Sequence, residues 1–177
     1  MLEWIRTHRG ASTGIAVAGV AVVVAGVYWF APQRLFLDRT VSESLPSFSA
    51  SPDPVGAPVE GSPAADVVEL ASGSFRSLEH GTSGIAKVVE LADGSRFVRL
   101  EGLSTSNGPD LRVYLTDQPL SDDWHVWDDG AFVDLGALKG NIGDSNYRIP
   151  GGVHAADFRT VVIWCRRFTV GFGVAPI

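Results

Sequence analysis

The first pattern along the chain is a long apolar run near the N-terminus. No charged residue occurs from Gly10 to Gln33, and residues 14–31 are mostly Val and Ala and close with three consecutive aromatic residues. An α-helix rises about 1.5 Å per residue, so roughly 20 apolar residues cross the hydrocarbon core of a bilayer. A cleaved signal peptide has a shorter apolar region that ends in small residues. The pattern predicts an uncleaved transmembrane signal-anchor over residues 14–31, with residues 1–13 as a short cytoplasmic segment.

The basic residues around this run do not orient it by themselves. Arg6 and Arg9 precede the run, and Arg34 and Arg39 follow it, so the positive-inside count is equal on the two sides. Nearby acidic residues offset the second pair, and a short N-terminal segment before a large domain usually stays inside. We expect a single-pass protein of the plasma membrane whose C-terminal domain lies outside the cytoplasm.

Residues 32–66 have the composition of a linker. Ser, Ala and Gly alternate there with prolines, and such a segment buries too little apolar surface to order itself. It is predicted to be a spacer. Its prolines include Pro46, Pro52, Pro54, Pro58 and Pro63.

The remaining residues, 67–177, have the pattern of a β domain. Short runs such as "GIAKVVELA", "LRVYLTD" and "TVVIWCRRFTV" are rich in β-branched and aromatic residues and are separated by turn signals. Asp93-Gly94 predicts a hairpin turn, and residues 107–110 ("NGPD") predict a tight turn in which Gly108 has a positive φ. Strands at this spacing indicate an all-β sandwich or barrel-like domain.

Composition and charge exclude several classes of function. The net charge is −6 and no basic cluster occurs, which argues against a nucleic-acid partner. A single cysteine forms no internal disulfide, and the spacings typical of zinc and haem-attachment motifs are missing. No known hydrolase or nucleotide-binding signature is present. Whether the protein is an enzyme stays open.

Three histidines lie in predicted loops and are weak candidates for a site. His80 is close to hydroxyl residues in "HGTSG", where a turn is the better interpretation. His125 lies among four aspartates in residues 121–130, a stretch that favours a solvated acidic loop with inward-packed tryptophans over a metal site. His154 is isolated in a loop. No metal site is predicted.

The strongest candidate for chemistry is Cys165. If the run around it is a strand, Val161, Ile163 and Cys165 share one face, whereas Val162, Trp164 and Phe168 share the other. A free cysteine in such a strand behaves as a small buried hydrophobe. Alternatively, the two arginines that follow it favour a reactive thiolate, because nearby cations lower the pKa of a thiol. The residues leave both interpretations open.

Three groups of residues resemble the signature of the electron-transfer DM-thirteen domain. The first is Asn-Gly-Pro-Asp-Leu at residues 107–111, and the third is Ile-Trp-Cys at residues 163–165. The resemblance extends from about residue 70 to residue 177. The second group comprises Leu135-Gly136, Leu138-Lys139-Gly140, Gly143 and Asn146-Tyr147.

This resemblance implies a β-rich extracytoplasmic redox module in which Cys165 acts as a bare thiol or holds a prosthetic group such as haem. Electrons would then pass to or from a partner protein, and His80, His125 and His154 are the weak candidates for haem ligation. The alternative function is a non-catalytic binding or adhesion module with a structural cysteine. The residues identify neither the electron partner nor a cofactor.

Overall fold

The computed structural model describes residues 9–30, 37–45 and 67–177. The predictions for residues 1–8, 31–36 and 46–66 therefore lie outside the described residues. Helix α1 (Arg9–Phe30) occupies the apolar run, as the pattern predicts. In the part of the chain that the structure describes, no helix combines the length and the hydropathy needed to cross a membrane. The predicted helix is thus present, and its predicted role as a transmembrane signal-anchor is not confirmed.

The β domain consists of two five-stranded sheets, which confirms the β-rich fold. One sheet has the strand order β1-β8-β5-β4-β2, and the other has the order β3-β10-β9-β6-β7. All neighbouring strands are antiparallel except β1 and β8. The strands are β1 (Thr40–Ser42), β2 (Val68–Ser74), β3 (Arg76–Ser77), β4 (Ser83–Glu90), β5 (Arg96–Ser104), β6 (Leu111–Thr116), β7 (Phe132–Ala137), β8 (Ile142–Arg148), β9 (Thr160–Cys165) and β10 (Val170–Pro176). Short 3-10 helices occupy Val126–Asp128 and Ala155–Asp157.

Strand β9 lies near the centre of its sheet and is buried on both faces. Val161, Ile163 and Cys165 point into the inner core, which both sheets share. Val162 and Trp164 point to the opposite face. The predicted alternation is therefore confirmed for the strand. Phe168 does not belong to it, because β9 ends at Cys165 and residues 166–169 form an exposed turn that leads into β10.

The acidic loop covers the outer face of this second sheet. Trp127 is fully buried against Val162 and Trp164, so one of the predicted inward-packed tryptophans is confirmed. Trp124 is 45% exposed, contrary to that prediction. The difference arises because the 3-10 helix Val126–Asp128 turns only Trp127 inward, where its Nε1–H has no hydrogen-bond partner among the described residues.

Part of the predicted spacer is a piece of the fold. Residues 37–45, here called the strap, lie along β8, and their strand β1 pairs with it in parallel register, with Val41 opposite Gly143. Composition predicts a spacer here because the segment has few apolar residues. Its order comes from hydrogen bonds to β8 and its neighbours instead, which hydrophobic patterning does not detect.

Candidate functional site

Cys165 is the last residue of β9 and is completely covered. Its Cα is paired with Val170 of β10 on one side and with Leu111 of β6 on the other. Its exposed fraction is 0%, although the four residues that follow it are exposed. The backbone N–H groups of Phe168, Arg167 and Asp110 lie near the sulfur and lower the pKa of the thiol. The thiol therefore lies directly beneath the exposed turn of residues 166–169.

The surroundings of the sulfur act on its pKa in opposite directions. Burial raises the pKa of the Cys165 thiol, and this is the largest effect. The three backbone N–H groups lower that pKa, and the negative charge of Asp110 raises it, with a net result above the usual thiol value. A neutral, covered thiol is a poor nucleophile. In the closed structure Cys165 is therefore inert.

The arginines after Cys165 do not act as the sequence predicts. Arg166 donates from Nε to Asp110 Oδ2 at 2.9 Å, so an adjacent carboxylate offsets its charge. Arg167 acts on the sulfur through its backbone N–H. The main effects that favour a thiolate thus come from backbone N–H groups, which a sequence pattern of basic residues does not indicate.

The turn above the sulfur is strained and is supported by the acidic loop. Thr169 has φ 51°, the only positive φ of a non-glycine residue in the described part of the chain. Such a conformation is unfavourable for a β-branched residue. His125 Nδ1 lies 2.6 Å from the carbonyl oxygen of Thr169, and Gly171 N–H donates to the carbonyl oxygen of Trp124 at 2.7 Å. His125 is therefore a support of the turn and lies on its exposed side.

A second segment, residues 107–110, covers the sulfur from the β6 side. Asn107 Oδ1 accepts the backbone N–H of Gly108 at 2.8 Å. The backbone carbonyl oxygen of Asp110 accepts the backbone N–H of Arg166 at 3.0 Å. The predicted tight turn is present, but Gly108 is not among the glycines with a positive φ, so that prediction is wrong. Glycine is favoured because the chain packs closely: a Cβ there would lie 3.1 Å from Leu111 Cδ2 and 3.2 Å from Phe172 Cζ.

Gly108→Ala should therefore destabilise the domain moderately, by about 1 kcal/mol, because the two side chains must shift by a few tenths of an ångström. Thermal unfolding measures the change. Gly151→Ala is the matched control, since a Cβ at residue 151 meets nothing within 4 Å. Equal melting temperatures for the two variants would contradict the close packing described here.

The contacts of His80 and His125 are with groups other than the sulfur. His80 Nε2 pairs with Glu79 Oε2 at 2.5 Å, and its ring packs against Phe172 at 4.0 Å between centroids. His154 precedes the 3-10 helix Ala155–Asp157. Within residues 9–30, 37–45 and 67–177, no group of three or more His, Cys, Asp or Glu side chains is arranged to hold a metal ion.

The surroundings of Cys165 do not fit a haem. The sulfur is completely covered and packed into the inner core, so no side of it is open for a haem iron to bind. Three cavities, of about 250, 370 and 320 Å³, occur in the β domain, and none of the three is lined by Cys165, His80, His125 or His154. The site of Cys165 therefore does not support chemistry through a haem.

Several signature residues bind the strap instead of surrounding the thiol. Lys139 Nζ contacts both carboxylate oxygens of Glu43 at 2.9 Å, and the backbone N–H of Asn146 donates to the same carboxylate at 2.8 Å. Partial burial raises the pKa of Glu43, but these contacts outweigh burial and hold the pKa below its usual range. In the sequence, the signal for binding of the strap was that Lys139 and Asn146 are polar residues of the signature.

Comparison with known proteins gives one match. The family model described as electron transfer DM13 matches residues 74–177, which includes β3 to β10 and leaves the strap outside. No curated protein and no solved structure matches the chain.

Proposed function

Because this chain belongs to the electron transfer DM13 family, we propose that its β domain is a redox module whose working group is the Cys165 thiol. The family match supports a redox role in general. The assignment to Cys165 rests on one observation: the sulfur lies directly beneath an exposed turn, with three backbone N–H groups near it. The N–H of Asp110 lies outside this turn and would still favour a thiolate once the turn opens and water reaches the sulfur.

The chemistry that a lone thiol supports is exchange with a partner disulfide. The Cys165 thiolate attacks one sulfur of the partner, the S–S bond of the partner breaks, and its second sulfur leaves as a thiolate. An external thiolate then attacks the partner sulfur of the mixed disulfide, which releases Cys165 as a thiolate and leaves the external thiol bonded to the partner. A second external thiolate attacks that bond, releases the partner sulfur as a thiolate and forms the external disulfide. Two electrons pass in this way from an external pair of thiols to the partner disulfide, and Cys165 is regenerated.

Local opening is a required step in this mechanism, because the closed thiol is covered and its pKa is raised. Turns and loops open far more often than core strands do. The strained φ of Thr169 supports the turn of residues 166–169 as the part that opens. The rest of β9 would stay in the sheet.

The test is catalysis of exchange between glutathione and a small aromatic disulfide by the purified full chain. The wild-type chain should accelerate this exchange, and Cys165→Ala should abolish the acceleration. Far-UV spectra and melting curves show whether both chains are folded. A wild-type chain that gives no acceleration would remove the redox assignment, and a visible absorption band in the purified chain would point to a bound prosthetic group instead.

One observation favours a second function, a binding or adhesion module without chemistry. Cys165 is as completely buried as the apolar residues Val161 and Ile163 beside it. If the sulfur only fills the core, native chain should show neither exchange activity nor thiol labelling at any concentration of reagent, whereas denatured chain should label fully.

We also propose that α1 attaches the domain to the plasma membrane, with the domain on the extracytoplasmic side. The support is an exposed apolar helix: Val17, Val22 and Val24 are more than 60% exposed, and no acidic or basic residue occupies its first or last turn, apart from Arg9 at its start. Helices that are apolar all round are typical of membranes or large cores.

The full chain should accordingly stay with membranes during alkaline carbonate washing. Val20→Lys together with Val24→Lys should release it into the supernatant, because charged side chains are costly in a bilayer. The control is Val68→Lys, a substitution at an exposed position of the β domain. Recovery of the wild-type chain in the carbonate supernatant would contradict membrane attachment by insertion.

A further inference from the structure

The strap is bound to the segment that covers Cys165. Asn107 donates from Nδ2 to the carbonyl oxygen of Leu37 at 2.8 Å, and the same amide accepts the N–H of Gly108. Three residues after Asn107, the N–H of Asp110 lies near the sulfur and its carboxylate binds Arg166. One short segment therefore connects the beginning of the strap with the cover of the thiol.

The groove that receives the strap is shaped for an extended backbone. A Cβ at Gly140 would lie 2.5 Å from the carbonyl oxygen of Arg39, so only glycine lets the strap approach this closely. Asn141 is 2% exposed and holds the strap with both ends of its amide. Its Oδ1 accepts the N–H of Arg39 at 2.7 Å, and its Nδ2 donates to Asp38 Oδ1 at 2.8 Å.

The other end of the groove selects for an acidic residue. Glu43 is held through its carboxylate by Lys139 and by the N–H of Asn146. Arg99, itself 8% exposed, donates from Nη1 to the carbonyl oxygen of Glu43 at 3.0 Å. The Asn146 amide donates to the carbonyl oxygen of Ser44 at 2.8 Å. This end of the groove thus places donors against the Glu43 carboxylate and against the carbonyl oxygens of Glu43 and Ser44.

We propose that this groove is a peptide-binding site whose ligand, the extended acidic strap, controls access to Cys165. With the strap bound, Asn107 is fixed and the cover over the sulfur is closed. With the strap released, Asn107 loses its bond to Leu37, residues 107–110 hold Arg166 less firmly, and the turn of residues 166–169 opens more often. The functional meaning of this control rests on the proposed redox role of Cys165, whereas the control of access does not.

The beginning of the strap is the part best placed to leave. A cavity of about 320 Å³ adjoins it, lined among others by Leu37, Asp38 and Asn107. Only β8 pairs with β1, so release disrupts an edge and not the core.

The test compares the rates at which maleimide labels Cys165 in the native full chain. Glu43→Lys places an ammonium group opposite Lys139 and should release the strap, so labelling should be at least tenfold faster than in the wild type. A synthetic peptide with the sequence of residues 37–45, added in excess, should restore slow labelling. The same peptide carrying Glu43→Lys should not.

Two controls separate strap release from general loss of stability. Val88→Ala removes core volume in β4 without touching the strap, and its labelling is compared with that of Glu43→Lys at equal measured stability. Hydrogen exchange at the Arg39 amide, which donates to Asn141 Oδ1 and does not involve residue 43, reports whether the strap has left. If that amide keeps its protection in Glu43→Lys, Gly140→Ala, whose Cβ displaces the Arg39 carbonyl, is used instead. In Gly140→Ala the groove itself is blocked, so the added peptide should not slow the labelling of Cys165.

The proposal is overturned if the Arg39 amide loses protection while Cys165 labels at the wild-type rate, or no faster than in Val88→Ala. Disulfide exchange activity is measured on the same samples. Faster labelling without any exchange activity would refute the redox role and leave the control of access intact. Exchange activity that is unchanged on strap release would refute the control and leave the redox role intact.

Discussion

Deletion of residues 37–45 should lower the melting temperature of the chain by about 10 °C or more. Without the strap, the polar side chains of Asn141 and Arg99 keep their buried positions but lose partners. An unsatisfied buried polar group costs about 1–3 kcal/mol. The edge of β8 is exposed as well.

The measurement is a thermal melt of the full chain against the deletion, followed by far-UV circular dichroism. The control removes nine residues elsewhere, residues 52–60, so that both deletions shorten the chain equally. Only loss of the strap should matter. If both deletions melt within 2 °C of the wild type, the strap contributes nothing, and the folded unit begins near residue 67 as its composition suggests. That limit of about 2 °C corresponds to roughly 0.5 kcal/mol.

The same contacts predict a dependence on pH. The pKa of Glu43 in the folded chain lies below its usual range, so its contribution is complete above the ordinary carboxyl pKa and is lost as pH falls through the lowered value. Glu43→Gln should remove this dependence while keeping the shape of the side chain. The difference in melting temperature between the wild-type chain and the deletion of residues 37–45 should therefore shrink in acid. The difference between Glu43→Gln and the same deletion should not.

The second large effect concerns Cys165 itself. Maleimide should label it in the native chain on the order of a thousandfold more slowly than it labels an unprotected thiol, since access needs an opening that costs several kcal/mol. Labelling in denaturant should be immediate and complete. A native rate equal to that of a free thiol would mean that the sulfur is exposed in solution.

The raised thiol pKa gives this prediction a second readout. A group that is protonated in the folded chain and ionised in the unfolded chain loses its contribution to stability as pH rises above the ordinary thiol pKa. The wild type should therefore lose stability in that range relative to Cys165→Ala. Cys165→Ser should be tolerated about as well as Cys165→Ala, because the three N–H groups around the sulfur offer partners to a hydroxyl oxygen. Parallel stability curves for the wild type and Cys165→Ala across this range would contradict the raised pKa.

The alternation of side chains between the two faces of β9 was predictable from the sequence, because it depends only on the two-residue repeat of a strand. The faces of Val161, Ile163 and Trp164 follow directly from that period, and so does the burial of both faces. The environment of the sulfur was not predictable in this way. It depends on backbone N–H groups from Asp110, which is 55 positions earlier in the chain, and from the turn after β9.

The order of the strap also escaped prediction, for a related reason. Hydrophobic patterning detects segments that bury side chains, and the strap is held mainly through its backbone and through Glu43. Its partners Lys139 and Asn141 lie about a hundred residues away in the sequence. The family resemblance includes Lys139 but not Asn141. It did not indicate the role of Lys139, because a motif names positions and not the segment that binds to them.

The pairing of the strap with β8 has a consequence for biosynthesis. Asp38 and Asn141 are separated by 103 positions. At a translation rate of roughly 5–20 residues per second, the strap leaves the ribosome about 5–20 s before β8 does. Because β8 is synthesised this late, docking of the strap is one of the final events of folding. Contacts between distant positions also form slowly. Until then the ribosome-bound chain holds a strand without its sheet, and chaperones that bind extended segments have several seconds in which to capture it.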